Sequence, residues 1–146
     1  MKIMKKVFQR SFVYFPFVMG ILLLTLYSPW QEFLWWNITV QFLIFVCFAC
    51  IPAYLTQRMS YVDIAWPWGL VAIGLLVLIF GEGYWLRKSI VAGMYLFSGL
   101  RMGVGALILW KKGHLNQELP RYQFQRKRWK KMGFTNDAFS IQYEIM

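Results

Sequence analysis

An all-α, multi-span transmembrane helical bundle, with about four spans and a basic amphipathic interfacial helix, is the fold class this sequence predicts. Three observations carry it. Of 146 residues, 59% are hydrophobic and only 15% charged, where soluble domains hold about 45–50% and about 25%. The apolar residues fall into four long runs separated by short polar connections. Basic residues cluster at the two flanks: Lys2, Lys5, Lys6 and Arg10 before the first run, and eight more from Lys111 to Lys131.

Residues 1–110 are therefore read as a four-span bundle, 111–133 as a basic cytoplasmic interfacial segment, and 134–146 as the start of a missing C-terminal part. The first span is expected from Ser11 to Tyr27, with Pro16 in its opening turns, where the absent amide has no helical partner. A basic head and an apolar run also resemble a signal peptide, but the run is long and lacks a small-x-small cleavage site, so it is read as a retained span. Trp30, Trp35 and Trp36 mark a headgroup boundary.

The second span is expected from Phe33 to Leu55. Asn37 and Gln41, four apart, share a face that can hydrogen-bond a neighbouring helix. Pro52 frees the carbonyl of Phe48 and predicts a bent exit. Cys47 and Cys50 form a Cys-x-x-Cys, but no further ligand or electropositive neighbour lies nearby in sequence, so buried packing is the expectation rather than redox or zinc chemistry.

The third span, Tyr61 to Phe80, opens with Asp63 and then Trp66-Pro67-Trp68-Gly69. Pro67 cannot donate to the Asp63 carbonyl, so one short segment offers a carboxylate and a freed carbonyl. A loop from Gly81 to Lys88 leads to the fourth span, Ser89 to Trp110. There Gly99 and Gly103 form a close-packing face, and Arg101 lies about 200° from each, on the side shared with Ser98 and Gly105. A lone arginine within a span demands a partner, water or a polar ligand. Asp63 is the obvious acid, yet Arg101 sits about 14 Å from Trp110 by helical rise and leans away from the basic end, so depth alone does not bring the two together. A structural ion pair and a ligand-facing pair both stay open.

Beyond Trp110, Pro120 starts a segment in which Tyr122, Gln125 or Arg126, Trp129 and Met132 recur at helical spacing. That pattern suits a helix on the membrane surface, with its basic residues toward anionic headgroups of the lipid bilayer. Arg121 and Tyr122 have the chemistry to grip a phosphate, but an ordinary interfacial anchor is the reading the residues alone favour. His114 is solitary. No nucleic-acid motif, Gly-rich phosphate loop, nucleophile elbow or metal cluster is present, so no nucleic-acid partner is expected. Counting Lys and Arg places both ends in the cytoplasm, as for a multi-pass protein of a bacterial inner membrane.

The ordered set Asp63-Ile64-Ala65-Trp66 with Gly69, then Gly99-Leu100-Arg101, then Glu118-Leu119-Pro120-Arg121-Tyr122 with Trp129 resembles the uncharacterised steroid 5-alpha-reductase-like membrane family, DUF1295, over about Ser60 to Gly133. The resemblance implies a multi-span helical protein related to NADPH-dependent reductases of lipophilic enones and, more distantly, to S-adenosylmethionine-dependent isoprenylcysteine methyltransferases. It implies that Asp63 (catalytic) and Arg101, Arg121 and Tyr122 (cofactor-binding, for NADPH) line a cavity for cofactor and a lipophilic small molecule. Leu119 stands where an acid often precedes the Arg-Tyr pair, and Met102 replaces the usual leucine after the arginine. The family continues into further helices with an Asn-Tyr and Glu-containing motif, so the chain is expected to be a front portion lacking its C-terminal half. A non-catalytic four-span protein forming a homo-oligomer through Gly99 and Gly103 is the rival expectation.

Overall fold

The computed structural model describes residues 2–27, 29–131 and 137–145. Its order is α1 (Lys2–Tyr27), α2 (Gln31–Phe45), a π-helical turn (Val46–Cys50), α3 (Ile51–Thr56), a 3-10 turn (Met59–Tyr61), α4 (Val62–Phe80), α5 (Trp85–Lys111), a second 3-10 turn (His114–Asn116), α6 (Pro120–Lys131) and α7 (Asp137–Ile145). The all-α bundle is as the sequence predicts. Three helical stretches among the described residues are long and apolar enough to cross a membrane: Gln31–Thr56, Met59–Phe80 and Trp85–Lys111. A fourth, Ser11–Tyr27, is shorter; it extends about 26 Å against about 30 Å of hydrocarbon.

α1 differs from its expected form. Because the helix begins at Lys2, Pro16 stands in its interior and leaves the Phe12 carbonyl without its helical donor. α1 touches mainly α2, and most of its large side chains from Phe8 to Tyr27 are exposed. Thr25 turns its hydroxyl inward, donating to the carbonyls of Ile21 and Leu22 at 3.0 and 2.9 Å. Its polarity is thereby satisfied without leaving the helix.

The bend forecast at Pro52 takes the form of the π turn: Ile51 N–H reaches the carbonyl of Val46, five residues back. A proline just downstream supplies no donor to the preceding turn, and widening that turn is one way to redistribute the remaining bonds. Cys50 is buried, as expected, whereas Cys47 points outward. The reversal that follows uses Gln57 in the left-handed region, φ 56°.

α4 and α5 form the central antiparallel pair. Gly99 meets the Pro67 carbonyl and Val71; a β-carbon placed there would lie 2.8 Å from that carbonyl oxygen. Gly103 meets the Trp68 indole, and Gly74 meets Leu96 and the Ala92 carbonyl. The predicted glycine face is thus occupied by α4 of the same chain. α5 begins at Trp85, so Arg87 and Lys88 belong to its first turn rather than to the connection. Across the other face of α4, Gln41 Nε2 donates to the Gly69 carbonyl at 2.9 Å, the helix-to-helix bond its position predicts. Asn37 shares that side of α2, and its buried Oδ1 accepts no hydrogen bond.

The tail is packed against protein. Trp129 is 3% exposed and sits with Ala49, Cys50, Ala53, Met59, Ala65, Ile141 and Ile145. The face read from spacing in α6 is the buried one, but helices rather than lipid cover it. Met132 lies outside the described residues. α7 returns to the π turn, where Gln142 Nε2 donates to the Cys50 carbonyl at 3.0 Å.

Candidate functional site

Asp63 is the second residue of α4, near the N-terminal end of a helical stretch that the 3-10 turn Met59–Tyr61 opens, where a carboxylate is favoured. α6 starts at Pro120, whose fixed φ suits a first helical position, and so Arg121 and Tyr122 also stand at a helix N-terminus. The fold sets these two termini together. Asp63 Oδ1 accepts from the Arg121 guanidinium and from the Tyr122 hydroxyl, the latter at 3.0 Å. The guanidinium lies over the Tyr122 ring, 4.7 Å from its centroid. Oδ2 of the same carboxylate is buried and accepts nothing, and Ser60 Oγ, three residues earlier, is likewise buried and unbonded.

Burial pushes the Tyr122 phenol up to about 12, with the Asp63 charge and hydrogen bond acting in the same direction and Arg121 partly opposing. Partial burial works against the charge on Arg121, but the bonds to Asp63 and the neighbouring phenol outweigh it and raise its pKa. Arg121 is 61% exposed and Asp63 29%, so a cation is presented at the surface with its carboxylate behind it.

A second, more enclosed pair anchors the first. Glu118 Oε2 accepts from Arg126 at 2.6 Å, Oε1 accepts from the Met59 amide at 2.8 Å, and Arg126 also donates to the Gln57 carbonyl. The carboxylate thereby ties the approach to α6 onto the turn that launches α4. Sequence reasoning did not find this pair: its members are eight residues apart, and its backbone partners lie near 58, far away in sequence.

Arg101 does not join the cluster. The contacts of Gly99 and Gly103 place it at the level of Pro67 to Val71, about 6–12 Å by helical rise beyond Asp63. It also lies on the side of α5 turned away from α4, exposed.

An apolar groove of about 800 Å³ lies between α2–α3, α4 and the last turns of α5, with Phe48, Tyr61, Ile64, Trp68, Leu107 and Trp110 among its lining. Tyr61 and Ile64 put one end of it at the turn of α4 that carries Asp63, although Asp63, Arg121 and Tyr122 themselves do not line it. No single run of sequence announces it, because α2, the π turn, α3, the first 3-10 turn, α4 and α5 all contribute. Among the described residues no group of three or more His, Cys, Asp or Glu gathers to hold a metal ion.

No curated protein and no solved structure matches the chain. A family model does: the one described as a protein of unknown function, DUF1295, matches residues 48–145. That region reaches from the π turn to the end of α7 and takes in the groove's lining apart from Ile44, the Asp63 cluster and the Glu118 anchor. The chain, a helical membrane protein, therefore belongs to DUF1295, the steroid 5-alpha-reductase-like family.

Proposed function

We propose that this chain is the substrate-binding and part of the cofactor-binding portion of a membrane reductase acting on a lipophilic enone, with NADPH as reductant. The observation that carries the reading is the apolar groove of about 800 Å³, one end of which lies at the turn of α4 that carries Asp63, the residue that holds Arg121 and Tyr122. Such a groove suits a rigid apolar molecule with few polar atoms. NADPH would supply a hydride to the activated double bond. An exposed guanidinium beside two helix N-termini fits a phosphate of that cofactor. Asp63 holds Arg121 and Tyr122 in place through Oδ1. Arg101 is left out of this site, because α5 turns it away.

The test is ligand protection of the detergent-solubilised chain against thermal unfolding, with NADPH and S-adenosylmethionine in parallel, and photocrosslinking of a steroid enone. Protection by NADPH that is lost in Arg121→Ala, with crosslinks at Phe48, Trp68 or Leu107, supports the reading. Protection by S-adenosylmethionine instead would move the protein to the methyltransferases. Failure of either cofactor to protect, with no crosslink in the groove, would sink both.

A further inference from the structure

We propose that the outer face of α5, centred on Arg101, is the seat of a further transmembrane helix that carries a carboxylate at the same depth and belongs neither to these 146 residues nor to a second copy of them. α5 is 27 residues long, with Trp85 and Trp110 at its two ends. Arg101 stands about 24 Å from the first and about 14 Å from the second by helical rise. Helical side chains lean toward their own N-terminus, here the farther interface, so reaching headgroups is the harder course for this guanidinium. An arginine left in hydrocarbon is costly, and an acid on an adjoining helix is the usual relief.

Among the described residues that relief is absent. The glycine face of α5 is filled by α4, its one substantial helix neighbour, and none of the described residues pairs with Arg101. The six acidic residues are Glu32, Asp63, Glu82, Glu118, Asp137 and Glu144. The first three stand at the ends of spans or in a connection, and Glu118 follows Lys111 and is held by Arg126. A second copy in a two-fold arrangement would oppose Arg101 with Arg101. Lipid phosphates lie at the headgroups.

The surface around Arg101 also admits a close neighbour. Ser98 and Gly105 lie within about 60° of it around the helix, and nothing stands within 4 Å of where a β-carbon on Gly105 would be. Small residues let helix backbones approach, which shortens the reach of an ion pair. The charge then selects which helix is accepted.

The test places the full chain, with a donor fluorophore on its N-terminus, in phosphatidylcholine vesicles. The probes are acceptor-labelled, Leu/Ala-rich transmembrane peptides of about 23 residues, with either Glu or Leu at the centre. The Glu peptide should associate at least tenfold more tightly than the Leu peptide, and Arg101→Leu should make the two equal. Because that substitution removes a charge from a lipid-facing position, insertion and folding should be undiminished, which a thermal unfolding curve checks. Equal association of both peptides with the unsubstituted chain would overturn the proposal. So would Arg101-dependent energy transfer between two copies of the chain. A loss of thermal stability in Arg101→Leu seen only when phosphatidylglycerol is present would assign the arginine to lipid phosphate instead, and also overturn it.

Discussion

The Tyr122 hydroxyl and the Arg121 guanidinium share one oxygen of Asp63, and that sharing separates function from stability at this site. Tyr122 keeps its proton to about 12 in the folded chain, against about 10 in an unfolded one. The folded state therefore binds this proton more tightly, and its contribution is whole below about pH 10 and lost as pH rises toward about 12. The thermal midpoint should fall more steeply across that window than in Tyr122→Phe, and parallel curves would refute the assignment. The two ion pairs differ in the same spirit. Arg121 and Asp63 are solvated enough that Asp63→Asn should cost no more than about 1 kcal/mol. Glu118 and Arg126 are 12% and 22% exposed, and Glu118→Gln should cost about 2–3 kcal/mol, because it weakens a charged hydrogen bond and a capped amide together. Denaturation in mixed detergent micelles reads both. The candidate site residue is thus the one whose replacement the fold tolerates.

Among the elements, the α4–α5 pair was the most legible, and its glycines show how far sequence reaches. Spacing alone marks Gly99 and Gly103 as a close-packing face and puts Arg101 opposite, because a regular helix fixes angles within itself. It does not say which helix fills that face, a matter of pairing between elements. The structure grades the three glycines. A methyl group on Gly99 would press on the Pro67 carbonyl and the Val71 amide at 2.8 Å, one on Gly103 would meet the Trp68 ring at 3.2 Å, and one on Gly105 meets nothing. Gly99→Ala should destabilise by about 1–3 kcal/mol. Gly103→Ala should cost less, since an indole edge can shift. Gly105→Ala should be neutral or stabilising by up to about 1 kcal/mol through helix propensity. The π turn at Val46–Cys50 shows the limit from another side: Pro52 announces a bend, but whether a helix kinks or widens depends on what packs beside it, here α7 and the Trp129 cluster.

At the scale of the molecule, the tail decides what the bundle is. Its amphipathic face was legible, yet lipid and protein make the same demand for apolar spacing, so the pattern could not name its cover. The return of α7 was less legible still. Nine residues are too few to span, and the Gln142 bond to the Cys50 carbonyl joins positions 92 apart in sequence. Since α6 also carries Arg121 and Tyr122, the seating of Trp129 positions the polar cluster. Its ring lies among Ala49, Ala53 and Ala65, each 0% exposed, and these small side chains have little capacity to close a void. Trp129→Ala should therefore cost about 3–5 kcal/mol locally. The loss should fall on the tail, because α4 and α5 hold each other without it. Hydrogen exchange in detergent should show α6 and α7 losing protection while the α4–α5 interface keeps it, and NADPH protection, where present, should vanish with Arg121 intact. A helix held by lipid alone would behave differently. Its protection would be low in detergent already and would hardly change on substitution, and that result would return α6 to the membrane surface.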